Sequence, residues 1–170
     1  MNSISQFFYS NEYLLFWMSL EIGVVEIKEQ DYMGIRETLE VSAIPAKMEE
    51  LFRELFGFIR KMGVKPAGPP FAYYYSFSLE RTDMECGVPV SKSTGSEGRV
   101  KVGKLPSGKA LRAVHLGPYE RLEETYNEMM AYAKEMDLDL VEGMWEYYLT
   151  DPTSEPDPSK WMTEIFVLVR

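Results

Sequence analysis

The second half of this 170-residue sequence repeats the plan of the first, and that repeat constrains the fold more than any other feature. Met48, Leu51, Phe52, Leu55, Ile59 and Met62 fall at spacings of three and four, the signature of one helix face. An offset of 74 carries Met48, Phe52, Leu55, Ile59 and Met62 onto Leu122, Tyr126, Met129, Ala133 and Met136, all apolar or aromatic. The same offset carries Tyr73-Tyr74 onto Tyr147-Tyr148. A longer loop then raises it to 79, which places Glu85 on Glu164, Val88 on Val167 and Val90 on Val169. Any two amphipathic helices align with each other. Shared order, shared punctuation and a matched Glu argue for duplication.

The units read as strand–helix–strand–strand. In the first, residues 22–28 and 31–39 are extended, and the helix follows with Ser42 as N-cap, Pro45 in its first turn and Gly63 as its stop. Pro/Gly punctuation at 65–70 precedes strands at 71–78 and 84–90. A polar linker at 91–98 leads to the second unit, with strands at 100–105 and 109–115 joined by a turn at Pro106-Ser107-Gly108. Gly117-Pro118 open its helix, and strands at 145–150 and 161–169 flank a loop with three prolines. The expectation is an α+β fold: a tandem pseudo-twofold repeat with a mostly antiparallel sheet. Two helices cover one face, and a ligand cleft lies at the seam. Residues 1–20 are expected to be a flexible extension and 21–170 a single domain, divided into units 21–92 and 99–170.

Charge and composition narrow the partners. The net charge of -9 repels phosphate backbones, so direct nucleic-acid binding is not expected, and neutral or cationic ligands suit it. One Cys excludes an internal disulfide, which fits a reducing cytoplasm. One Cys and one His cannot build a structural zinc site, and no cofactor or metal is expected. The aromatic N-terminal run, Phe7-Phe8-Tyr9 and Tyr13 to Trp17, lacks a basic flank and is broken by Asn11 and Glu12. It makes neither a signal peptide nor a membrane span. An aromatic arm of this kind could dock on a partner subunit, which leaves a homodimer open.

Several side chains could carry chemistry. Glu164 lies in an otherwise apolar strand, where a carboxylate needs a partner or a use. Glu85 is its first-half counterpart. Two carboxylates on corresponding walls of one cleft could hold a cation, or one could stay protonated as an acid. Tyr74 and Tyr148 are the second symmetric pair. Alternation puts Tyr148 on a strand face with Glu146, and Trp145 on the other with Tyr147. One face lines the cleft and the other meets a helix; the pattern leaves open which. Phe166 shares a face with Glu164. His115 has no evident nucleophile or acid beside it and reads as structural, Cys86 as a small core residue. The glycines of 93–98 fit no phosphate-loop spacing.

Three segments, His115-Leu116-Gly117-Pro118-Tyr119-Glu120, Trp145 to Pro152, and Thr163-Glu164-Ile165, resemble the GyrI-like small-molecule-binding family over roughly residues 21–170. That domain also serves as the effector-binding part of some AraC-type and MerR-type multidrug-responsive regulators. The resemblance implies a tandem of two strand–helix–strand–strand units binding bulky, apolar, often aromatic and cationic compounds in the seam. It implies that Glu164 lies in the pocket with Tyr148 close by, and that Glu146 faces the cleft. Residues 1–20 cannot hold a helix-turn-helix, so a stand-alone member is expected, active in sensing, sequestration or detoxification of xenobiotics. Some stand-alone members hydrolyse cyclopropane-bearing, DNA-alkylating natural products. By that likeness Tyr148 would donate to the developing anion and Glu164 would act as general base on water, while Tyr74, Glu85, Trp145, Glu146 and Phe166 would contact the ligand. A third role, binding and inhibiting a topoisomerase, is suggested by the family name alone.

Overall fold

Helix α1 (Ile44–Lys61) buries Leu51, Leu55 and Ile59, and helix α2 (Leu122–Glu135) buries Thr125, Met129 and Ala133, so one stripe of each faces the sheet. The structure is a computed structural model and describes residues 22–92 and 95–170. The N-terminal extension, its aromatic run and part of the polar linker lie outside the described residues.

Eight strands follow in chain order: β1 (Ile22–Ile27), β2 (Gln30–Glu40), β3 (Phe71–Phe77), β4 (Arg81–Pro89), β5 (Lys101–Leu105), β6 (Gly108–Leu116), β7 (Met144–Tyr148) and β8 (Met162–Leu168). They form one sheet in the order β1-β6-β8-β7-β3-β4-β2-β5, with every neighbouring pair antiparallel. Exchanging each strand for its partner in the other half reverses this list onto itself. The expected pseudo-twofold repeat is therefore present, with its axis between β3 and β7.

The pairing adds something that periodicity does not contain. β1 pairs with β6 of the second half, and β5 pairs with β2 of the first. Each unit thus lends its leading strand to the other. The sheet must also curl. Only residues 28 and 29 separate β1 from β2, a span of about 11 Å at most, yet six strand spacings would part them by roughly 29 Å in a flat sheet. Curling encloses Tyr32, Phe71, Leu105, Ala110, Trp145 and Phe166 on the concave side. The helices pack against the other face, α1 over Met33, Ile35, Met84 and Cys86, and α2 over Leu111, Ala113, Ile165 and Val167.

The helix ends correct one expectation and repeat one motif. Ser42 is not the cap of α1; it lies in a 3-10 turn at Val41–Ala43, and Ala43 occupies the cap without a side-chain bond. At the other end the Val64 amide donates to the Ile59 carbonyl and the Gly63 amide to that of Arg60, with Gly63 at φ 65°. This two-bond closure needs a left-handed residue. Helix α2 closes identically through Leu138 and Asp137, and Asp137, at φ 53°, stands where the first half has Gly63.

Candidate functional site

The residues singled out in the sequence divide between the two faces of the sheet. Tyr74, Glu146 and Tyr148 face the helices. Glu85, Trp145, Glu164 and Phe166 face the interior of the curl. Glu164 and Tyr148 are not brought together: across β7 and β8, Tyr147 pairs with Glu164 and Tyr148 with Thr163, so alternation sends the two to opposite faces.

On the helix face, Glu146 is the centre. It is 5% exposed and lies next to the pseudo-axis, directly across from Ala72 on β3. The Tyr148 hydroxyl donates to its Oε2 at 2.7 Å, and the Tyr126 hydroxyl of α2 donates to its Oε1. Burial raises the Glu146 carboxyl above the usual range, against the two phenol hydrogen bonds and His115, which pull it down. Burial also pushes the Tyr126 and Tyr148 phenols well above their ordinary value, with the Glu146 charge adding to it. Tyr74 is raised in the same way. Above these groups α1 and the turn before α2 supply rings. Phe52 of α1 meets Tyr148 edge-on at 6.3 Å between centroids, and Tyr119 meets it at 5.7 Å while leaning on Trp161 at 4.9 Å. The result is a carboxylate held only by neutral phenols, walled by aromatics, at the seam between α1 and α2. Such a site suits a cation with aromatic surface.

The interior face holds the other two carboxylates in equivalent positions of the two halves. Glu85 accepts from Tyr75 at 2.5 Å and from Tyr32 at 3.1 Å. Glu164 is ion-paired with Arg112, whose Nε donates to it at 2.5 Å. A stack of rings crosses this face. Trp145 lies between Tyr73, 5.6 Å away and tilted 8°, and Phe166, 5.4 Å away and tilted 12°. Tyr75 extends the stack beyond Tyr73, and the Arg36 guanidinium caps it 3.7 Å from the Tyr75 ring centre.

His115 and Cys86 are structural. His115 is buried between the Thr125 hydroxyl at 2.8 Å and the Pro118 carbonyl at 3.0 Å, which fixes the turn into α2. Burial pushes the Cys86 thiol up to about 12, which leaves it unreactive. Among the described residues no group of three His, Cys, Asp or Glu side chains could hold a metal ion, and no helix is long and apolar enough to cross a membrane.

Sequence reasoning missed Tyr126, Phe52 and Tyr119 as site residues, together with Tyr32, Tyr75 and Arg112. A signal existed for two of them. A phenol at a core-facing helix position, as at Tyr126, needs a buried hydrogen-bond partner. A cation inside an apolar strand, as at Arg112, needs a counter-charge on a neighbouring strand.

Comparison with known proteins agrees with this fold. The profile of the GyrI-like small molecule binding domain matches residues 20–170. The C-terminal domain of EcmrR superposes with a TM-score of 0.78 at 21% identity, over 88% of this chain and 96% of that one. In the EcmrR–DNA complex the match covers 94% of this chain and 63% of that one, so the chain spans less than two thirds of that protein. A hydrolase encoded by lin2189 of Listeria innocua gives 0.65 at 15% identity, over 98% and 96% of the two chains. SAV2435, in a structure bound to tetraphenylphosphonium, gives 0.65 at 16%, over 89% and 94%. No curated protein matches this chain.

Proposed function

This chain belongs to the GyrI-like small-molecule-binding family, and from that premise we propose that it binds bulky, aromatic, cationic compounds at Glu146, in the seam between α1 and α2. One observation carries this reading: Glu146 is buried, and both its hydrogen-bond partners are neutral phenols. A ligand cation supplies the missing charge, and Phe52, Tyr119 and Tyr148 supply stacking surface. Entry displaces Phe52 and Tyr119, the rings packed on Tyr148. Sensing, sequestration and detoxification of foreign compounds all follow from such a site. SAV2435, similar in fold, has been solved with a cation of this kind. Calorimetric titration with tetraphenylphosphonium tests the proposal. Glu146→Gln is expected to weaken binding about tenfold or more, because a charge-assisted contact is lost. Equal affinity in the variant and the parent rules the reading out.

A second reading, hydrolysis of an electrophilic, cyclopropane-bearing aromatic compound, is favoured by the 2.7 Å hydrogen bond between Tyr148 and Glu146. A carboxyl raised by burial suits a general base on water, and the phenol suits a donor to the developing anion. Glu146, not Glu164, is the carboxylate on the same face as Tyr148. Mass spectrometry of such a compound incubated with the protein separates the readings. Turnover lost in Glu146→Gln supports hydrolysis; stoichiometric binding without turnover eliminates it.

A further inference from the structure

The two ends of the sheet are built differently. β1 and β5 are its edge strands, and the pseudo-twofold matches Gly23 of β1, paired with Arg112, to Lys101 of β5, paired with Gly34. β5 carries two exposed lysines, Lys101 and Lys104, which guard an edge against pairing with another strand. β1 carries no lysine and no proline, and Val24 stands 42% exposed on it. An edge of this composition is a template for a further strand.

The strand glycines define what that further strand must bring. Gly34, Gly87 and Gly103 face the interior of the curl, and each is covered by a side chain. The Phe71 ring lies over Gly87 and the Tyr32 ring over Gly103, each from the directly opposed residue of the next strand. Glu85 and Tyr32 close over Gly34. Gly23 shares this face with Val25 and Ile27, which pack on the interior rings. Among the described residues no atom lies within 4 Å of the point where a Cβ on Gly23 would stand. Gly108 is also open, but it starts β6 at φ 134° and serves the turn. An aromatic ring from the adjoining strand complements a bare edge glycine.

We infer that the free edge of β1 is the docking site of residues 12–17 of this same chain, paired antiparallel with β1 and carrying a ring over Gly23. The inference does not rest on the site at Glu146. Chain length supports this occupant. Residues 1–21 run directly into Ile22, and a hairpin loop needs only about two to five residues. A loop at 18–21 sets Phe16 opposite Gly23 and Leu15 opposite Val24, and a loop at 19–21 sets Trp17 opposite Gly23. Either register places a ring on the glycine, as Phe71 is placed on Gly87. β1 of a second copy cannot do so, since it contains no aromatic residue.

Hydrogen exchange of the full chain, read by mass spectrometry, is the first test. The β1 amides that point away from β6 are expected to exchange slowly in the parent and about tenfold faster or more in Leu15→Pro, which cannot pair as a strand. Gly23→Val is the second. On a bare edge the added side chain is neutral or favourable; beneath a ring it forces the ring away. The melting temperature is expected to fall by about 2–4 °C, and a background of Phe16→Ala with Trp17→Ala is expected to abolish that fall. Fast exchange of those amides in the parent overturns the inference. So does a Gly23→Val melting temperature at or above the parent's, or the same fall in the ring-less background. Protection that is lost on dilution, together with a halving of the mass in light scattering, assigns the edge to a second copy and overturns it as well.

Discussion

At the axis of the repeat, Ala72 of the first half sits opposite Glu146 of the second. The same contrast continues into the helices. Tyr126 of α2 donates to Glu146, while its counterpart Phe52 of α1 has no hydroxyl and packs on Tyr148 edge-on. The backbones are equivalent; the polarity is not. Two carboxylates facing each other across the axis would repel in a site that solvent screens poorly. One carboxylate, with phenols donating from its own half and an apolar wall from the other, can be held without a protein cation. The duplication therefore supplies a symmetric frame, and differences at two pairs of positions, 72/146 and 52/126, polarise it.

The largest expected effect comes from restoring symmetry. Ala72→Glu places a second buried carboxylate beside Glu146 and is expected to cost about 3–5 kcal/mol of stability, since no cation compensates it. Chemical denaturation measures this, and a loss below about 1 kcal/mol would mean that the axis is wetter than its burial implies.

Removing the asymmetry in the other direction, with Glu146→Gln, is expected to raise stability by roughly 1–2 kcal/mol at pH 8 while reducing cation affinity. The sign follows from the raised carboxyl. Folding favours the protonated form, so the parent loses stability as pH rises from the ordinary carboxylate range through the raised folded value, and the variant does not. Tetraphenylphosphonium affinity of the parent should increase over that same interval, as Glu146 ionises. Melting temperatures and titrations across pH 4–8, roughly the range between an ordinary and a buried carboxyl, check both.

Tyr126→Phe makes the second helix like the first at this position. It removes one of the hydrogen bonds that lower the Glu146 carboxyl, so the midpoint of the pH–affinity curve should move upward, with about 1 kcal/mol lost in stability. An unshifted midpoint would assign the lowering to Tyr148 and His115 alone. The smallest effect concerns the helix ends. Asp137→Gly gives the second closure the residue of the first and is expected to add about 0.5–1 kcal/mol, read as a higher melting temperature.

Much of this frame was legible in the sequence, and the reasons are local. The helix stripes, the strand positions and the halves' correspondence all follow from periodicity and punctuation. Ser42 misled because cap-forming residues also favour tight turns, and here the turn won. Partner choice between strands was not legible. The turns at 28–29 and 106–107 look like hairpins, yet the strands they join pair elsewhere. Alternation likewise separated Trp145 from Glu146 correctly but could not say which side the helices cover. The expectation that Glu164 and Tyr148 share a cleft failed on that point, since their face assignment depends on the β7–β8 register, Tyr147 against Glu164.

The exchange of leading strands ties the halves together independently of the peptide between them. β1 is an edge strand whose paired neighbour is β6, and β5 is an edge strand whose paired neighbour is β2. A protease that nicks the exposed residues 95–98 would therefore produce two fragments, each gripping the other's outermost strand as well as meeting it along β3 and β7. Chain cleavage there would change the number of polypeptides without changing the particle, and neither fragment would leave without first surrendering a strand.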